Sequence, residues 1–193
     1  MSVNLINSSD ITVSQTNNDI ELNVNDSVVE AFTGDLTNLT TTDKSNLVSA
    51  INETNTKSVI VCGLTTNQTI NGTSETKINI NVERIKTGTK LTFDSSNNRV
   101  KIGAGVNHVM VSAQLNYSAF TTNGLRRLLA RKNGTGFARS MIYCAQNYET
   151  INMTPRLIDV TENDYIDFSM WNAGNTTISA GDVDTYFVVE VID

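Results

Sequence analysis

His108-Val-Met-Val-Ser-Ala-Gln-Leu-Asn-Tyr117 places Val109, Val111, Ala113, Leu115 and Tyr117 on one face of an extended chain and His108, Met110, Ser112, Gln114 and Asn116 on the other. A period of two belongs to a strand with one buried face. Downstream, Leu128-Leu129 and the run Phe137 to Tyr143 flank Lys132-Asn133-Gly134-Thr135. Asn-Gly accepts positive φ at both central positions and is the strongest short-range signal for a two-residue hairpin loop. Upstream, Leu91 and Phe93 precede the turn-forming run Ser95-Ser96-Asn97-Asn98, and Val100 and Ile102 follow it. Ser58 to Cys62 is an apolar run, and Ile78, Ile80 and Val82 alternate with polar residues. Ile158 and Val160, then Ile166, Phe168 and Met170, then Phe187, Val189 and Val191 complete the set. Short strands and turns at this spacing predict a mainly β chain built as a sandwich of the jelly-roll type.

The polar surface of such a sandwich comes mainly from uncharged side chains. Only 18% of the residues are charged, whereas the chain holds 25 Asn and 26 Thr, which suit turns and pleated half-exposed surfaces respectively. A net charge of −6 and a pI near 4.7 argue against nucleic acid as a partner, since a phosphate backbone is held by a basic face. The one dense basic stretch, Arg126, Arg127, Arg131 and Lys132, is split between two strand faces by alternation, which predicts a solvated edge or subunit ion pairs. No run is apolar for long enough to insert in a membrane, and Met1 to Asp10 has no signal-peptide pattern, so folding in a cytoplasm is expected. Cys62 and Cys144 lie 82 residues apart without metal-type spacing and read as buried free thiols.

The first part of the chain has a different grammar. Ile11-Thr-Val13 and Ile20-Glu-Leu22-Asn-Val24 alternate on either side of Thr16-Asn17-Asn18-Asp19, which predicts a small β-hairpin. Two strands are marginal alone, so this segment must pack on its own oligomer mates or on another protein. One short α-helix is predicted over about 42–56, with Thr41 or Thr42 as cap, Asp43 in the first turn and Leu47, Val48 and Ile51 as a narrow apolar stripe. The stripe does not continue as heptads, so it is a docking helix and not a coiled-coil stalk.

Two stretches resemble known families. Asp35-Leu-Thr-Asn-Leu-Thr-Thr-Thr-Asp-Lys-Ser-Asn-Leu-Val-Ser-Ala-Ile-Asn-Glu53 resembles a short module of bacteriophage tail, baseplate and fibre proteins that links an anchoring part to a distal domain. Residues 58–193 resemble the C1q/TNF-like jelly roll. The resemblance rests on Val100-Lys-Ile-Gly-Ala-Gly-Val106 running into Val109 to Tyr117, on Leu128 to Gly134, on Asn163-Asp164-Tyr-Ile-Asp-Phe168 and on the closing strand Thr185 to Ile192. In the third motif Asn163 stands where that family has Gly, a replacement that a turn tolerates.

Together these resemblances imply a virion-anchoring segment over 1–57, with Leu47, Val48 and Ile51 as anchoring residues, and a jelly-roll knob over 58–193. They also imply a homotrimer held on other virion proteins of the capsid or tail at the virion surface. The implied protein is a short fibre, a spike or a head decoration (head fibre) that aids adhesion to the host. The alternative is a tail or baseplate receptor-binding protein for host surface glycans.

Nothing in the residues composes a catalytic set. His108 is the single histidine, and no Gly-x-Ser-x-Gly turn accompanies it, so no enzyme and no cofactor are expected. Asp182 and Asp184, two apart beside the last strand, are calcium candidates, although an Asx-turn explains them with fewer ligands. Tyr117, Asn123, Tyr148, Asn152, Asn172 and Asn175 mark Asn-, Tyr- and Thr-rich segments that either contact a host surface polysaccharide or are ordinary polar loops.

Overall fold

The computed structural model describes residues 11–16, 19–24, 57–118, 123–144, 148–181 and 183–192. The chain divides into two compact units, residues 1–55 and 56–193. In the first, β1 (Ile11–Thr16) and β2 (Asp19–Val24) pair antiparallel with Thr16 opposite Asp19, the expected hairpin. The predicted helix over 42–56, with Leu47, Val48 and Ile51, lies outside the described residues.

The second unit is a two-sheet sandwich. A seven-stranded sheet contains β3 (Val59–Gly63), β4 (Gln68–Ile70), β6 (Val82–Thr87), β9 (His108–Ser118), β12 (Tyr148–Asp159), β14 (Thr176–Ile178) and β15 (Tyr186–Val191). A six-stranded sheet contains β5 (Glu75–Lys77), β7 (Leu91–Asp94), β8 (Arg99–Ile102), β10 (Gly124–Lys132), β11 (Thr135–Cys144) and β13 (Tyr165–Asn172). The spatial order β3-β15-β9-β12 faces the order β8-β13-β10-β11. The first strand of the sandwich thus lies beside the last, and β8 to β9, β9 to β10, β11 to β12 and β12 to β13 each cross between sheets. That nesting is a jelly roll.

Local chemistry explains the corners. Asn133 and Gly134 adopt φ of 51° and 79°, the mirror-image turn that matches strand twist, and Lys132 stands opposite Thr135. Asp94 caps a single 3-10 turn, accepting from Asn97 N, and Asn98 leaves that turn at φ 50°. The inward face of β9 is the predicted one, with Val109, Val111, Ala113, Leu115 and Tyr117 all buried. It meets Leu128, Ala130, Ile166, Phe168 and Met170 from the opposite sheet. Phe168 and Phe187 join the layers through rings 4.5 Å apart, an aromatic contact worth roughly 0.5–1.5 kcal/mol beyond its buried area.

Candidate interaction surfaces

The outward face of the seven-stranded sheet carries apolar residues where solvent would favour polar ones. Register aligns Ile85, Val61 and Val188 in one cross-sheet row, and Met110 stands beside Leu157 in the next. Ile85 and Leu157 are 55% and 59% exposed, and Val61, Val188 and Met110 are half-buried. Polar residues adjoin these positions: Ser112 stands opposite Val188, Glu190, paired with Lys57 at 2.6 Å, stands opposite Met110, and Gln114, Asn116 and Asn152 continue the face.

The sequence-predicted receptor residues divide. Asn123 and Asn175 are exposed at the end of the sandwich where β9 finishes, and the backbone of Tyr148 stands there opposite Ser118. Asn175 is engaged, its Oδ1 accepting from Gly72 N at 2.9 Å. Asn152 is exposed mid-strand, opposite Gln114 and away from that end. Tyr117 and Asn172 are fully buried, so neither side chain presents a surface to a receptor. Alternation already pointed Tyr117 inward, whereas its neighbours in sequence suggested a loop.

Those two residues belong to a buried polar end of the core. Tyr117 Oη and Cys144 Sγ share a hydrogen bond, and Tyr117 Oη also donates to Glu149 Oε2 at 3.3 Å. Arg126, predicted on a solvated edge, is fully buried here opposite Asn172 in register. Burial first, then the contact with Cys144, pushes the Tyr117 phenol well above its ordinary range. Burial pushes the Cys144 thiol up to about 11 and the Cys62 thiol up to about 12, which keeps both protonated and poorly nucleophilic at neutral pH. Both cysteines are free and buried.

The other members of the basic stretch find separate tasks. Arg127 stacks its guanidinium 4.6 Å over the Trp171 ring, Arg131 pairs with Asp167, and Lys132 Nζ donates to Asp159 O at 3.0 Å. Of the calcium candidates, Asp182 lies outside the described residues. Asp184 folds back on its own turn: a Cβ added to Gly181 would lie 2.8 Å from Asp184 Oδ2. Among the described residues no group of three or more His, Cys, Asp or Glu side chains gathers to hold a metal. His108 Nε2 lies 3.6 Å from Asp159 Oδ1 at an exposed strand end.

Known structures share this architecture. The chain has the TNF-like jelly-roll fold. Murine APRIL at pH 5.0 superposes with a TM-score of 0.58 at 11% identity, over 70% of this chain and 99% of that one. The Eiger TNF of S. frugiperda superposes with a TM-score of 0.57 at 6% identity, over 71% of this chain and 93% of that one. No family model and no curated protein sequence matches the chain. At such identities the likeness is one of fold, and function has to be argued from the surfaces.

Proposed function

We propose that this chain is a non-enzymatic structural protein of a tailed bacteriophage particle, a homotrimer displayed at the virion surface. Residues 1–57 hold the chain on a capsid or tail protein, and residues 58–193 form an exposed knob that aids adhesion to the host. The observation that carries the oligomer is the apolar row Ile85, Val61 and Val188 with Met110 and Leu157 on one outward sheet face. Exposed apolar side chains grouped on one sheet face of an otherwise Asn- and Thr-rich protein mark an interface, with Glu190 and Ser112 as polar members of the same rows. Another copy of the chain can cover such a face, and the C1q/TNF resemblance favours three copies around a threefold axis, each presenting this face to a different surface of its neighbour. The phage assignment is supported by the resemblance of Asp35 to Glu53 to the phage linker module.

Mechanistically, three equivalent weak sites on one rigid knob act by avidity, which requires no strong single contact. Two measurements test the reading. Light scattering of residues 58–193 is expected to give three times the monomer mass, and a monomer would contradict it. An electron-microscopy reconstruction of the particle is expected to show the knob outside; a place within the capsid would overturn the reading. The alternative, a glycan receptor module, is favoured by the exposed Asn123 and Asn175 at one end of the sandwich. Silence on a glycan array would count against it.

A further inference from the structure

We propose that the outward face of β10 and β11, with Trp171 of β13 beside it, binds an acidic polysaccharide lying across the sheet. The proposal names the partner chemistry of the adhesion knob and rests on the adhesion reading for its place on a particle; the binding itself is a property of the chain.

Alternation turns Arg139, Met141 and Tyr143 outward on β11, and register sets them beside Leu129, Arg127 and Leu125 of β10. Tyr143 is 69% exposed and Met141 49% exposed, an unusual pair to leave in water on adjacent outward positions of one strand. Arg127 lies between Met141 and Trp171 in register and is stacked on the indole, so a flat ring and a guanidinium are held together without support from a loop.

Next to this pair the ladder opens. Ala130 stands opposite Ala138 but Arg131 stands opposite Gly136, which leaves Phe137 as the unopposed residue of a bulge. A shallow depression of about 310 Å³ results, lined by Leu129, Gly136, Phe137, Ala138 and Arg139. It is open, unlike the enclosing pockets that small molecules fill. A polymer crossing the face fits it better than a molecule that must be surrounded.

Charge selects the polymer. Arg131 is neutralised by Asp167 and Glu75, whereas Arg139 and Arg127 meet no carboxylate among the described residues. Two such guanidinium groups beside apolar rings, on a chain of net charge −6, form a local positive surface. Sugar rings present C–H faces that pack on the exposed Tyr143, beside the Arg127 guanidinium held on Trp171, and uronate carboxylates suit the planar fork of Arg139. A nucleic-acid backbone would demand a much larger basic footprint than two arginines.

Affinity electrophoresis of the intact chain through gels containing polygalacturonate or neutral dextran tests the proposal. Retardation by polygalacturonate alone is expected, weakening as salt rises. Arg139→Ala and Tyr143→Ala, both at exposed positions, are each expected to lower affinity about tenfold, with Arg139→Lys partly restoring it. Equal retardation by both polymers, or by neither, overturns the proposal. So does a change in assembly mass in the Tyr143→Ala variant, which would assign this face to a protein partner. Particle location is a separate measurement, so polymer binding with a knob found inside the capsid would sink the adhesion reading and leave this site standing.

Discussion

Arg131 Nε donates to Asp167 Oδ1 at 2.7 Å on the outer surface of the six-stranded sheet, and Lys77 Nζ lies 2.9 Å from the other carboxylate oxygen. Asp167 points away from the core and is nonetheless only 2% exposed. The two cations cover it, and Glu75 closes the network by accepting from Ser169 Oγ at 2.7 Å and pairing with Arg131 at 3.2 Å. The short strand β5 is thereby clamped to β13, which becomes buried on both faces.

Asp167→Asn keeps the volume and removes the charge that both cations face. Breaking a fully buried ion pair costs about 3–5 kcal/mol and an exposed one under about 1, so this partly screened network is expected to lose about 2 kcal/mol. Urea denaturation of the variant measures it. A loss within about 0.5 kcal/mol would show that solvent already screens the network.

Acid should weaken the fold through two turn carboxylates. The Asp94 carboxyl is held well below the usual range, first by the hydrogen bond that Arg99 Nε donates at 2.9 Å, and then by Asn97 and Lys101. At Asp164 burial favours the neutral form, but hydrogen bonds from Asn133 and Thr161 and the charge of Lys132 outweigh it, so its pKa is lowered too. A lowered folded pKa adds stability above the unfolded value of about 4, and that stability is lost as pH falls through the folded one. The Tm advantage of the native chain over Asp164→Asn should therefore be present near neutral pH and shrink below about pH 4. An advantage unchanged by pH would mean that shape, not charge, matters at this position.

Much of this architecture was legible because strand alternation has a period that no other element shares. The face of β9 and the Asn133-Gly134 loop followed from local chemistry alone. Arg126 was not legible. Its polarity argued for solvent, yet the same alternation that sends Arg127 outward sends Arg126 inward, where Asn172 of β13, distant in sequence, stands opposite it. Asn172 misled for a related reason: Asn suits a turn, and only pairing with Arg126 shows that β13 still runs through this position. Charges consumed by distant partners cannot be told from free ones in a single sequence. Arg131 and Arg139 look alike there and differ only because Asp167 lies beside one of them.

Asn133→Ala probes how the hairpin tip is tied to the next turn. Asn133 Nδ2 donates to Asp164 Oδ1 at 2.6 Å, and Asn133 Oδ1 accepts from Tyr165 N at 3.0 Å. The substitution removes both bonds and places alanine at φ 51°, where Asn is better tolerated. A loss of about 1–2 kcal/mol is expected by denaturant unfolding. Asn133→Gly, which relieves the backbone and still lacks the bonds, should recover part of it.

Leu157→Asp tests the apolar band that supports self-association. Leu157 stands beside Met110 toward one edge of the sheet, whereas Ile85 stands beside Val61 toward the other. Both side chains are more than half exposed in a single copy, so a charge at either position costs the isolated fold little, within about 0.5 kcal/mol. In an assembly the same charge would be buried repeatedly, once per copy, against apolar partners and without a counter-ion. Light scattering of Leu157→Asp and Ile85→Asp should therefore show smaller species than the native chain, with circular dichroism and Tm nearly unchanged. If both variants keep the native mass, the band faces water and any assembly is held by another surface. If one variant dissociates and the other does not, the interface lies toward that edge of the sheet, because a face covered across its full width would feel both charges.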